Sequence, residues 1–214
     1  MRALLFAAAL AAVATPALAE KTVPAGKALP FLGSYLKVPP AERSRVKLTY
    51  AIRHDGQTVP NLKATLVEKN GTRTPLPVNA DGYFERLPTL AQLDAGADIA
   101  FDVPPDFKMG AMMSFGTQLK PAVEYDVREL TATVDEANTV IGKAAGPMAF
   151  MAPKMSGTTF PKADGGVAVF ADGHTQPLPL IKETPFFLPA DFKGAVRVKL
   201  TKTPTKVGFY QGKK

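Results

Sequence analysis

The chain has 214 residues, with 26 Lys and Arg against 19 Asp and Glu, two His, and neither Cys nor Trp. Its 46% hydrophobic and 21% charged content is that of a globular protein, which excludes long disorder and a polytopic membrane protein. The lack of Cys excludes a disulfide framework, Cys-ligated zinc, iron–sulfur clusters and a thiol nucleophile.

Arg2 opens a short positive region, Ala3 to Ala14 is an unbroken apolar run, Pro16 breaks it, and Ala17-Leu18-Ala19 has the small-x-small pattern that signal peptidase accepts. A run of about twelve residues is short of the roughly 20 that span a bilayer as a helix. Residues 1–19 are therefore expected to be a secretory signal cleaved after Ala19. The mature chain is expected in the periplasm, with no transmembrane segment and, lacking Cys at its start, no lipid anchor.

Glu20–Pro30 is polar, carries two Pro and is expected as a loose N-terminal arm. Phe31–Leu36 is a short apolar segment that Pro39-Pro40 stops. Over Ser44–His54, Val46, Leu48, Tyr50 and Ile52 alternate with Lys47, Thr49 and Arg53, the period of a half-buried strand. Leu62–Glu68 alternates again, and Asn70-Gly71 is a strong hairpin signal. Asn79-Ala80-Asp81-Gly82 is a further turn before Tyr83-Phe84. In Ala97–Val103, Ile99, Phe101 and Val103 share a face, and Pro104-Pro105 ends the strand.

Tyr125–Gly146 changes period: Val127, Leu130, Val134, Ala137 and Ile141 recur at three and four residues. Asp126 is placed as N-cap, Glu129 as the second half of a capping box, and Tyr125 with Leu130 as a hydrophobic staple. Lys143 and Gly146-Pro147 stop this helix. Thr131, Thr133 and Thr139 are poor helix formers, and Val123, Tyr125 and Val127 alternate, so a bulged strand competes. Gly166–Phe170, Leu178–Ile181, Phe186–Leu188 and Ala195–Thr201 return to short strands, with Asp172-Gly173 as a turn and Lys206–Tyr210 as the last ordered piece.

Two stretches read alike. Gly71…Pro75-Leu76-Pro77-Val78, Phe84, Leu87-Pro88 and the strand to Val103 match Gly173…Pro177-Leu178-Pro179-Leu180, Phe186, Leu188-Pro189 and the strand to Thr201. The offset is 102 residues at the first anchors, drifting to about 97 at the strands. The Asp81-Gly82-Tyr83-Phe84 step resembles the turn-plus-aromatic motif of transthyretin-like or regulatory-type β-sandwich domains. The run from Tyr50 to Val103 resembles uncharacterised, secreted β-rich proteins of Gram-negative bacteria, a likeness that implies no activity. The expected fold is mainly β: an antiparallel β-sandwich, Ig-like or transthyretin-like, built from two similar β modules with one intervening amphipathic helix. The expected division is a signal over 1–19, an N-terminal arm and first short segment over 20–43, a first β module over 44–120, the helix over 121–147, and a second β module over 148–214.

Few residues suggest chemistry. The four Ser (34, 44, 114 and 156) lie in no Gly-x-Ser-x-Gly elbow. No carboxylate pair stands out for glycoside hydrolysis, and no phosphate-binding Gly loop or βαβ rhythm is present. No catalytic residue and no cofactor are assigned. His54 and His174 flank Asp-Gly turns at similar places in the repeat and are weak candidates for Zn²⁺ or Cu²⁺ with Asp55 or Asp172. Six of the seven Met fall between 109 and 155, and the Met148, Met151, Met155 spacing is a candidate soft site for Cu(I). The competing reading is that flexible Met side chains fill gaps or form an apolar contact surface.

Residues 143–214 carry 11 basic and 4 acidic side chains. Arg197 and Lys199 share one strand face, opposite Val196, Val198 and Leu200, with Lys193, Lys202 and Lys206 nearby. These five are candidates for contact with an anionic surface, against the reading of a solvated edge that blocks aggregation. Export and the lack of stacking aromatics among the Lys argue against nucleic acid. The leading functional expectation is a non-enzymatic binding or structural protein of the cell envelope, contacting a protein or an anionic envelope component. The alternatives are a periplasmic Cu(I)-binding protein and a hydrolase assembled from loops.

Overall fold

Alternation and turn chemistry set the strands of the first half, and the computed structural model describes residues 20–212. The signal expected over residues 1–19 lies outside the described residues. The first half runs β1 (Lys21–Pro24), α1 (Ala25–Ala28), α2 (Leu32–Lys37), β2 (Val46–His54), β3 (Gln57–Thr58), β4 (Ala64–Val67), β5 (Arg73–Pro75), α3 (Leu90–Asp94), β6 (Asp98–Phe101) and β7 (Gly110–Thr117). The second runs β8 (Glu124–Asp126), α4 (Val127–Ala145), a 3-10 turn (Gly146–Met151), β9 (Met155–Thr159), β10 (Gly166–Phe170), β11 (Thr175–Pro177), β12 (Leu180–Ile181), β13 (Thr184–Phe187), β14 (Ala195–Leu200) and β15 (Gly208–Gln211). Among the described residues strands predominate and every pairing is antiparallel, in four sheets ordered β1-β6-β4-β5, β3-β2-β7, β11-β10-β14-β8 and β12-β13-β9-β15.

The repeat is written in the backbone hydrogen bonds. Leu76 N–H donates to Ala64, and Leu178 N–H donates to Gly166, with both partners 102 residues on. Glu68 to Thr72 and Phe170 to His174 follow the same rule. So do the β4–β5 and β10–β11 registers, Leu66 opposite Thr74 and Ala168 opposite Gln176. Gly71 at φ +86° and Gly173 at φ +88° close these two hairpins, in a conformation that costs glycine little. Val23 pairs with Ile99 as Tyr125 pairs with Val198, which makes β1 and β8 counterparts.

A helix follows directly in each half, and α4 occupies the place that α1 and α2 take in the first. Residues 20–30 are thus no loose arm, and the apolar segment after them forms α2. Lys21–Pro24 are paired to β6, and Ala25, Leu29, Leu32 and Tyr35 are buried in the first core. The polar look of this stretch misleads because β1 is an edge strand whose alternate side chains face solvent.

α4 starts after its expected cap and ends at its expected stop, but it is shorter than the 121–147 division, whose residues 124–126 are β8. Asp126 caps it by accepting from the Arg128 N–H at 2.7 Å, and Tyr125 and Leu130 are buried in the same cluster as a staple would place them. The capping box is not completed, because the Glu129 carboxylate turns to Arg45 instead. The three Thr are accommodated by donating to the carbonyls of Val127, Glu129 and Asp135, one turn back. The competing strand signal is also met, since Glu124–Asp126 form β8 immediately before the helix.

The Arg128 side chain and backbone hydrogen bonds hold the Asp126 carboxyl below the usual aspartate range. The charged cap is therefore fully effective above the ordinary aspartate pKa and is lost as pH falls through the lowered value. Asp126→Ala is expected to lower the melting temperature at neutral pH, and its gap from wild type should close in acid. Asp126→Asn keeps an acceptor and should lose less. Melting curves across the acid range check this.

α4 also ties the halves together. Val140 and Ala144 enter the first core, Leu130 the second, and Val134, Ala137 and Ile141 a third cluster with Val46 and Met155. Arg45, just before β2, holds Glu129 at 3.0 Å and Glu136 at 3.2 Å. Thr117 at the end of β7 donates to the Val207 carbonyl at 2.9 Å across the junction.

Candidate functional site

An apolar cleft of about 180 Å³ opens where α4 ends. Its walls are Ile141 and Ala145 of α4, Met148 and Met151 of the 3-10 turn, Met113 and Phe115 of β7, and Phe31 between α1 and α2. None of the lining residues is charged. The space is slightly larger than the roughly 150 Å³ that takes up benzene in an apolar cavity.

Each wall has a local cause. In β7, Met113 and Phe115 pair with Tyr50 and Leu48, so they share the inward face of the β2–β7 ribbon. Gly146, at φ +55°, and Pro147 end α4 and throw the chain into the turn. The base of that turn is clamped: the Asn138 amide accepts from the Met155 N–H and donates to the Met155 carbonyl, both at 2.9 Å. Phe31 sits at φ +66°, a left-handed conformation rare for a bulky side chain. The Tyr50 hydroxyl donates to the Pro30 carbonyl, and Tyr35 N–H donates to the Phe31 carbonyl, so the turn is fastened on both sides. Burial raises the Tyr50 pKa well above the usual tyrosine range and keeps that donor protonated.

The rim is unusual. Phe31 is 48% exposed, Met148 52%, Met151 61% and Phe150 82%. Large apolar side chains this exposed and this close together mark a contact surface more often than a solvated one.

The methionine spacing divides differently from the expected triad. Met155 is buried in the core against Val134, Ala137 and Ile141, and so does not join Met148 and Met151. The β-strand that starts at Met155 turns its side chain inward. Met113, far away in sequence, takes its place beside the other two at the cleft.

The histidines do not meet, and they are not counterparts in the repeat. His174 lies in the β10–β11 hairpin at the position that Thr72 takes in the first half, whereas His54 ends β2. His54 stacks on Phe107 and its Nδ1 is 2.6 Å from the Lys108 carbonyl. His174 stacks on Phe170 and contacts Asp172 at 2.5 Å, which lowers the Asp172 pKa. No group of three or more His, Cys, Asp or Glu able to hold a metal occurs among the described residues. Ser44 donates to Glu136 and Ser156 accepts from the Gly212 N–H, so both have partners other than His.

The basic strand is partly neutralised. Arg197 and Lys199 share Glu124, at 2.6 and 3.6 Å, and Lys202 pairs with Asp164. Lys193 and Lys206 are exposed. Val196 is not opposite Arg197 as alternation implies. The register between β10 and β14 slips at Val169 and Phe170, and the bulge leaves Val196 43% exposed.

Phe31 and Phe115 are cleft residues that spacing alone does not single out, and Ile141 is one that spacing marks only as part of a helix face. A signal does exist in the sequence: Gly146 to Pro153 follows a helix stop with no polar side chain at all. No helix among the described residues is long and apolar enough to cross a membrane. The chain matches no family model, no curated protein and no solved structure.

Proposed function

We propose that this chain is an exported, non-enzymatic contact protein of the cell envelope, and that its working surface is the Met-lined cleft with its exposed apolar rim. The observation that carries the reading is the uncharged cleft walled by Met113, Met148 and Met151 and edged by Phe31. Thioether side chains adapt to differently shaped apolar partners. The left-handed backbone at Phe31, rare for a bulky side chain, is fastened on both sides and holds the ring at the cleft, which supports the reading further. Each half is read as two antiparallel sheets packed as a small sandwich. Supporting this, Leu48, Tyr50 and Ile52 of one sheet share a cluster with Leu66, Ile99 and Phe101 of the other.

The basic strand is a secondary contact at most, since three of its five cations already have carboxylate partners. An anilinonaphthalene dye is expected to bind the mature chain and brighten. Met148→Lys/Met151→Lys should weaken that binding about tenfold or more, the effect of placing charge in an apolar site. Because both side chains are exposed, folding should be unaffected. Lys193→Glu/Lys206→Glu should leave the dye bound. A dye that ignores the Met variant would remove the cleft from the proposal.

The grouping of Met113, Met148 and Met151 favours a second reading, Cu(I) capture by three thioethers. Anaerobic Cu(I) titration separates the two. Stoichiometric binding lost in Met148→Leu/Met151→Leu, with dye binding retained, would select the metal.

A further inference from the structure

We infer that the turn from Gly146 to Lys154 docks this protein on an anionic lipid leaflet, with Phe150 entering the acyl region. The inference rests on the apolar-contact reading above and names its partner.

The turn reads Gly-Pro-Met-Ala-Phe-Met-Ala-Pro-Lys. Phe150 is its outermost large side chain, 82% exposed, and it is not part of the cleft wall. A core-filling role is therefore excluded for it. The turn is presented rigidly, because Asn138 clamps its exit to α4 through both backbone groups of Met155. A fixed apolar projection costs little ordering entropy on entering an interface.

Charge selects the partner. The three stretches that contribute the cleft residues, taken as 25–38, 108–120 and 137–154, carry six lysines and not one Asp or Glu. All six are exposed: Lys27, Lys37, Lys108, Lys120, Lys143 and Lys154. Only Lys143 has a carboxylate partner among the described residues, Glu42. The rest of the described chain has its acidic residues spread through it, so this one-sided content is local. Lys154 ends the turn itself, and apolar side chains on segments whose only charges are cationic match a bilayer whose headgroups are negative, where each lysine near the surface adds to the attraction. A hydrophobic protein partner has no such requirement for positive charge.

The test uses the mature chain with vesicles of phosphatidylcholine, alone or mixed with phosphatidylglycerol. Wild type is expected to sediment with the mixed vesicles and much less with phosphatidylcholine alone, and to be released by salt. Phe150→Ser should reduce sedimentation about tenfold, the loss expected when one buried Phe is removed from an apolar phase. The chain has no Trp, so Phe150→Trp supplies a single reporter whose emission should shift to the blue on mixed vesicles. Absence of sedimentation, an unshifted emission, or full sedimentation of Phe150→Ser would overturn the inference. So would a concentration-dependent dimer abolished by Phe150→Ser, which would assign the turn to a second copy. Phe150→Ser should still bind the dye. A wild type that takes the dye but not the vesicles fails here alone, whereas one that takes the vesicles but not the dye fails only the cleft reading.

Discussion

Gly157→Ala is expected to destabilise the protein by about 3 kcal/mol, at the upper end of overpacking costs, and to lower its melting temperature by about 6–12 °C for a chain of this size. Gly157 is in β9, which is hydrogen-bonded to β13 on one side and β15 on the other. A Cβ there would collide with the Phe187 carbonyl oxygen and lie 2.8 Å from Leu188 Cδ2. The obstacle is backbone, so no rotamer change relieves it. β13 must move, and with it Phe187, which is fully buried against Phe192. Urea unfolding of the two proteins measures the difference. Equal midpoints would mean that β13 does not lie where its pairing with β9 puts it. Gly26→Ala is the control, since nothing stands within 4 Å of a Cβ at that position.

Tyr50→Ala is expected to cost about 3–5 kcal/mol, the range for deleting a fully buried aromatic ring. Tyr50→Phe separates ring from hydroxyl. It keeps the packing, leaves the Pro30 carbonyl without its donor, and should cost about 1 kcal/mol. The phenylalanine variant carries a functional consequence as well. The hydroxyl fastens the turn that holds Phe31 over the cleft, so dye affinity should fall even though Tyr50 is not in the cleft wall.

The same residue has a pH signature. Its folded pKa lies above the usual tyrosine value because burial disfavours the phenolate. Above the unfolded tyrosine pKa the unfolded chain has released that proton while the folded chain retains it. Stability therefore falls as pH rises beyond that point. Tyr50→Phe removes this contribution and should be less sensitive to alkali than wild type, although Tyr125, also raised by burial, leaves a smaller slope. Denaturant midpoints measured at neutral and alkaline pH report it directly.

The legible parts of the chain were those with local signals. β2 was visible because its alternation runs over nine residues, and α4 because its period, cap and stop agree. The repeat was visible through Gly, Pro and Leu anchors, and the paired registers 102 residues apart now carry it. Other elements had weak signals. α3 is only five residues, and its Thr89–Gln92 capping box, a readable pattern, is the whole of its announcement. β7 contains three glycine and methionine positions of intermediate burial and no alternation, because it packs against helix and solvent by turns. β9 is a short Met-Ser-Gly-Thr-Thr strand, held by neighbours on both sides rather than by its own propensity.

The candidate site shows the same division. Local pattern marked the methionines as unusual but grouped them along the chain. The fold buries Met155, exposes Met148 and Met151, and brings Met113 to them across the β2–β7 ribbon. The basic strand was legible as a charge pattern, yet its partners Glu124 and Asp164 come from other segments.

What the amino-acid order determined by itself was periodicity and punctuation: where strands alternate, where Gly71 and Gly173 can turn, where Asp126 starts a helix and Gly146 ends it. These depend on steric and hydrogen-bonding preferences within a few residues. Only the tertiary structure decided that the stretch after Glu20 is an edge strand, that α4 joins three clusters, and that Phe31, Met113 and Met151 face one cleft. Those outcomes depend on which distant surfaces exclude water from one another, and no local spacing records that choice.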